Sequence, residues 1–239
     1  MFIHHPVPPT LTLRDTATPP NPPAGVLARV EALWRRELAR GRRLFNGRIF
    51  SLERLEGGAA VGYLAQYKWY MAQLAEPALA PYLKVRSLAV CGLVIAGGHV
   101  LFGRRHPALA LEGGLWELTP SGTIHGGHRE ADGSVSYRLQ FQEELREELG
   151  LALPIPRTIA PFALVEDTLL GNWDLGIALR IETDPEAIVQ RHGSGLNDEY
   201  TELAPVAEAD VPAFVHARRE EMAGVSRRLL WAYGLTPEP

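Results

Sequence analysis

The chain has 239 residues, 46% hydrophobic and 22% charged, with 23 Gly and 19 Pro, which suits one enlarged domain or one core with an appended part. Near-zero mean hydropathy excludes wholesale disorder, and the mixed sequence excludes collagen and coiled coil. A net charge of -4 argues against a nucleic-acid binder, which needs a basic face to displace counterions. The single cysteine, Cys91, sits in an apolar run and reads as a buried, inert thiol, so an oxidised disulfide scaffold is excluded. No stretch reaches the roughly 20 apolar residues of a membrane helix, and the first residues lack a secretory pattern. The expectation is a cytoplasmic protein without membrane partners.

Residues 1–25 carry seven prolines and are expected to form an extended arm across the surface. Whether that arm crosses to a second subunit, making a homodimer, is left open. Helical spacing of Val26, Leu27, Val30, Leu33, Trp34 and Leu38 predicts a helix to Arg40. Alternation over Arg48 to Leu55, then Gly57-Gly58, predicts a hairpin into Ala59 to Leu64. An aromatic helix follows (Gln66 to Leu74), and Pro77 and Pro81 mark a linker. Residues 24–85 thus read as a small N-terminal α/β subdomain, ahead of a main domain at 86–239.

In that second part Arg86 to Ala96 reads as a buried strand, and Gly97-Gly98 turns it into His99 to Arg105. Trp116 to Leu118 is short and extended, Ser121 to Gly133 a glycine-rich loop, and Val135 to Leu149 a helix stopped by Gly150. Strands are expected at Thr158 to Asp167, Trp173 to Glu182 and Tyr200 to Ala207. Helices are expected near Pro185 to Gln190, at Val211 to Arg218 and at Glu220 to Tyr233. Mixed strands and helices with hairpins predict an α+β, mixed-sheet sandwich. Neither a G-x-G-x-x-G nor a P-loop supports a doubly wound nucleotide fold.

The chemistry concentrates in Glu143-Glu144-Leu145-Arg146-Glu147-Glu148-Leu149-Gly150-Leu151. On a helix, Glu144, Glu147 and Glu148 share an arc of about 100°. Carboxylates so placed repel unless a cation sits among them, and oxygen-only ligands suit Mg²⁺ or Mn²⁺. A solvated charged face is the plain alternative for such a string.

Upstream lies Trp116-Glu117-Leu118-Thr119-Pro120-Ser121-Gly122. Strand, Pro-x-Gly loop, acidic helix and Gly-apolar exit resemble the box of a Nudix hydrolase, G-x5-E-x7-R-E-U-x-E-E-x-G-U with U bulky and apolar. Glu144, Leu145, Glu147-Glu148 and Gly150-Leu151 match its second half. The first half departs. Glu143 holds the Arg position, for which Arg146 or Arg138 are candidate replacements. Counting from Gly122, His128 takes the place of the upstream Glu, and the loop is about seven residues too long. Trp34, Leu44-Phe45-Asn46-Gly47, Phe50, the hairpin and Tyr67-Lys68 look like the UDP-glucose pyrophosphatase branch, whose box is also degenerate.

The resemblance implies a Nudix-type α/β/α sandwich and a Mg²⁺-dependent hydrolase that cleaves a UDP-sugar to UMP and sugar 1-phosphate. It implies Glu144, Glu147 and Glu148 as metal ligands and a carboxylate outside the helix as general base. Glu199 is preferred for that base over Glu166-Asp167 and Asp174. Arg104 or Arg105 could contact the diphosphate through a guanidinium fork, beside Gly122, and Tyr67 and Lys68 could contact base or sugar. The aromatics serve equally as packing between the two parts. His125 and His128 read as solvated loop residues whose spacing fits no zinc motif. Other Nudix substrates (ADP-ribose, a dinucleotide, a coenzyme A ester) stay open, as does a Nudix-fold protein that binds nucleotides without catalysis.

Overall fold

The computed structural model describes all residues except 42–43, 110, 155–158 and 194–198. In chain order the strands are β1 (Phe2–His5), β2 (Thr12–Asp15), β3 (Arg48–Glu56), β4 (Ala59–Gln66), β5 (Leu88–Ala96), β6 (His99–Arg105), β7 (Trp116–Leu118), β8 (Ser121–Thr123), β9 (Ser134–Val135), β10 (Pro161–Asp167), β11 (Asn172–Ile181) and β12 (Tyr200–Ala207). The helices are α1 (Ala24–Ala39), α2 (Tyr67–Ala75), α3 (Ala80–Leu83), α4 (Tyr137–Leu149), α5 (Pro185–Gly193), α6 (Val211–Ala217) and α7 (Gly224–Tyr233).

The large sheet runs β1-β10-β11-β5-β6-β12, with β7 on β6 and β8 on β5. Its β5–β11 pair is parallel and its other pairs are antiparallel. Side chains on β5 alternate between two cores. Leu88, Val90 and Val94 pack with α4 and α5, while Cys91, Leu93 and Ile95 pack with α6 and α7. A strand covered on both faces has no polar side to show, which explains the unbroken apolar run of β5. The mixed-sheet sandwich with helices on both faces is as expected.

The small sheet, β3-β4-β2-β9, is likewise two-faced. Phe50, Leu52 and Leu64 join the core shared with α4, while Ile49, Tyr63 and Ala65 pack under α1, α2 and α3. A strand from the C-terminal part, β9, completes this sheet, and Leu11 to Leu203 contribute to one continuous core.

The Pro-rich arm is extended but does not merely cover the surface. β1 pairs with β10 at one edge of the large sheet, and β2 lies between β4 and β9 in the small one. The alternation in Leu11-Thr12-Leu13-Arg14 carries that signal, which the proline count obscures. Pro77 and Pro81 open a 3-10 turn and α3, where each occupies a first-turn position, rather than a linker. The segment 121–133 holds β8 and a 3-10 turn at Gly126–His128, so it is only partly loop. The expected strand start at Thr158 lies outside the described residues. Among those described, no helix is long and apolar enough to cross a membrane.

Because Leu13 is 1% exposed between two sheets, Leu13→Ala should destabilise the chain by about 2–5 kcal/mol. Urea unfolding would show it, and a change under about 0.5 kcal/mol would mean that the arm is dispensable.

Candidate active site

Helix α4 builds the site with two stripes of side chains. Ser136 caps it through a 3.3 Å bond from Leu139 N, and Gly150 ends it at φ +64°. Tyr137, Phe141, Leu145 and Leu149 form the core stripe. One step around the helix, Gln140, Glu144 and Glu148 follow each other at intervals of four. Gln140 links this stripe to the preceding segment, accepting from His125 N (3.0 Å) and donating to Glu144 (2.7 Å).

Glu148 is 1% exposed. Its Oε2 accepts from Thr119 Oγ1 (3.2 Å) and from Ser121 N (3.1 Å), so the Thr-Pro-Ser corner is shaped around this carboxylate. Its Oε1 is buried with no hydrogen-bond partner among the described residues. Gly122 faces Glu144 so closely that a Cβ there would lie 1.8 Å from Oε1. The glycine's role is to leave the space that the carboxylate fills.

The other wall comes from the large sheet. Glu117 on β7 is flanked by core residues Trp116 and Leu118, yet itself faces the cleft. It accepts from Arg105 Nη1 (2.5 Å) and from Tyr200 OH (2.8 Å). Arg105 also reaches Glu199 at 3.4 Å. Gly103 permits this packing, since a Cβ there would strike the Tyr200 ring at 2.6 Å. The cleft is about 930 Å³ and is lined by Glu117, Glu144, Glu199 and Arg105. Tyr67, Tyr70, Glu112, Asn172 and Asp174 also line it.

Burial disfavours charge on these acids. It pushes Glu144 up to about 8, with Glu199 and Glu147 adding repulsion. Glu148 is raised well above the usual range by burial, then by Glu199 and Glu144. Burial also raises Glu199, although Arg105 opposes the shift. Asp174 is raised by burial and by Glu112, and the Cys91 thiol by burial and Asp174. Glu117, Glu144 and Glu199 thus line the cleft beside Arg105, while Glu148 is buried below the Thr119-Pro120-Ser121 corner. Oxygen donors and the orphaned Oε1 of Glu148 are the chemistry that a hard divalent cation takes, but among the described residues no three of these acids bring ligand atoms within 4.8 Å of one another.

The structure thus brings together Glu144, Glu148, Glu199, Arg105, Gly122 and Tyr67 of the predicted residues. It does not bring in three others. Glu147 is exposed and pairs with Arg146 (2.6 Å), because the 100° arc of the three acids straddles cleft and solvent. Lys68 pairs with Glu31 on α1, tying two helices together. Arg104 points to Glu221 (3.6 Å) and to Gly114 O (3.4 Å).

Neither candidate replaces the missing Arg of the box. Arg138 donates to Ile159 O, and Arg146 is spent on Glu147. Glu143 is instead engaged by His125 and His128, so these are not simply solvated. Glu166 is held by His5 and Arg86, and Asp167 accepts from Leu169 N in a turn, which gives both structural work. Glu117, Glu112 and Asn172 were not singled out in the sequence. Only Glu117 carried a signal there, as an acid between two large apolar residues of a short strand.

No family model matches the chain, and no curated protein does. Among solved structures it is similar to the MutT protein from Methanosarcina mazei Go1, at 18% identity and TM-score 0.43, over 62% of this chain and 91% of that one. It is also similar to the NUDIX domain of NrtR from Shewanella oneidensis complexed with ADP ribose, at 17% identity and TM-score 0.43, over 66% and 96%. A third is the MutT NUDIX hydrolase from Burkholderia pseudomallei, at 18% and 0.40, over 61% and 96%.

Glu112 offers a pH test away from the helix acids. Burial and Glu117 push it up to about 7 from an ordinary 4.5. A raised carboxyl stabilises the fold fully below pH 4.5, and that contribution is lost as pH rises through about 7. Glu112→Gln should therefore match the wild type in thermal unfolding at pH 4.5 and exceed it at pH 8. A difference that stays flat with pH would show that Glu112 is not perturbed. Separately, Gly122→Ala should displace Glu144 and weaken Mg²⁺ binding by calorimetry, while an unchanged affinity would separate Gly122 from the cation site.

Proposed function

We propose that this chain is a divalent-metal-dependent pyrophosphohydrolase of the Nudix type, acting on a nucleoside diphosphate derivative and foremost on a UDP-sugar. The observation that carries the proposal is the buried Glu148 with its orphaned oxygen, beside the partly buried Glu144 and Glu199 that line a nucleotide-sized cleft. The box resemblance of Glu144-Leu145, Glu147-Glu148 and Gly150-Leu151 supports the same reading.

Glu144 and Glu148 would hold Mg²⁺, with Mn²⁺ as a substitute, and Glu147 would join them by leaving Arg146. When bound, the ion supplies positive charge against the diphosphate. The remaining work belongs to side chains. Glu199 takes a proton from the attacking water, a role that suits a carboxyl raised by burial toward working pH. The water oxygen bonds to one phosphorus as that phosphorus loses its bond to the bridging oxygen. The leaving phosphate departs with the electron pair. Arg105 holds Glu199 in place and is itself set by Glu117 and Tyr200. Tyr67 and Tyr70 line the cleft where base or sugar would lie.

Phosphorus NMR in excess Mg²⁺ against UDP-glucose, UDP-galactose, ADP-ribose, a dinucleotide and a coenzyme A ester tests this reading. UMP plus sugar 1-phosphate is expected from the wild type, with Glu148→Gln slower by about 10²–10³-fold. Turnover of another member keeps the hydrolase and discards the UDP-sugar. No turnover of any member, or an undiminished Glu148→Gln protein, would overturn the proposal.

A further inference from the structure

On the side of α4 away from its core stripe, Glu143 meets two imidazoles. His125 Nε2 lies 2.8 Å and His128 Nε2 3.0 Å from the same carboxylate oxygen, Oε2. The three donor atoms all fall within 4.8 Å of one another. The local sequence explains the convergence. A 3-10 turn over Gly126–His128 brings the two histidines to the same side, with ring centroids 4.4 Å apart. Glu143 is one residue from Glu144, so it points about 100° away from the cleft, toward that turn.

We propose that His125, His128 and Glu143 bind a borderline transition-metal ion of the Zn²⁺ or Co²⁺ kind, at a site separate from the carboxylate cleft. Two imidazoles and one carboxylate form a mixed nitrogen–oxygen set that such ions favour and that Mg²⁺ does not. The donors already cluster at close to ligand–ligand spacing. Side-chain exposures of 38% for His125 and 32% for Glu143 leave room for water to complete the coordination.

Three contacts must change on binding. The hydrogen bonds from His125 Nε2 and His128 Nε2 to Glu143 give way to the ion, and Gly127 N, which donates to His125 Nδ1 at 3.0 Å, has to turn away because the ring proton moves to Nδ1. The Gly126-Gly127 pair gives the turn the freedom to do so. Occupied, the site would pin the 121–128 segment, and with it Gly122, to the helix that carries Glu144.

The test is a Co²⁺ titration of the full chain in excess Mg²⁺, which competes for the cleft carboxylates, with the visible d–d absorption as readout. One equivalent should saturate in the wild type and in Glu148→Gln. The band should vanish in His128→Ala and in His125→Ala, and Glu143→Gln should weaken binding by about tenfold. Absence of the band in the wild type would overturn the site, as would its loss in Glu148→Gln or its persistence in a His128→Ala protein with unchanged circular dichroism. Should a histidine variant fail to fold, Glu143→Gln decides, because its amide still accepts from both rings. No turnover is measured, so the outcome is independent of the hydrolase proposal.

Discussion

Burying carboxylates beside one another is costly, because each loses hydration and gains a like-charged neighbour. Here the cost falls on Glu148, Glu144 and Glu199, and much of the surrounding architecture serves to hold them. Thr119 and Ser121 donate to Glu148, Gln140 donates to Glu144, and Arg105 compensates Glu199. Gly122 and Gly103 leave the gaps into which Glu144 and Tyr200 fit. Fold stability alone gives no reason for such a cluster, since well-packed apolar residues would cost less.

The same helix separates two environments by rotation alone. Glu144 lines the cleft and Glu148 is buried against Thr119 and Ser121, while Glu143 meets two imidazoles. Adjacent residues on a helix differ by about 100°, so a single step in sequence moves a carboxylate from one environment to another. The Glu at position 143, where the Nudix pattern has Arg, thus has a partner set of its own.

The N-terminal quarter matters to the site through packing. Its β3–β4 hairpin shares a core with α4, and α2 brings Tyr67 and Tyr70 to the cleft wall. The arm binds the two sheets into one body by giving a strand to each. Lys68, beside Tyr67, instead joins α2 to α1 through Glu31. Along one short helix, neighbouring side chains therefore divide between lining the cleft and holding the layers together.

Periodicity and punctuation in the sequence determined most elements by themselves. The two-faced strand β5 showed as an apolar run, the hairpin at Gly57-Gly58 as alternation around a turn, and α4 as an acidic helix ending at Gly150. The acids at helical spacing, Glu144 and Glu148, were visible as a local pattern, whereas Glu199 was marked only by the family resemblance. Tertiary structure alone decided which acids share a cavity. Glu117 enters it through strand pairing, Glu147 leaves it by a fraction of a helical turn, and Arg105 rather than Arg104 enters because successive strand residues face opposite sides. The His125–His128–Glu143 cluster joins residues 15 to 18 positions apart through a turn whose packing no local pattern encodes. Local spacing sets which way a side chain points from its own element, but only the packing of elements sets what it meets.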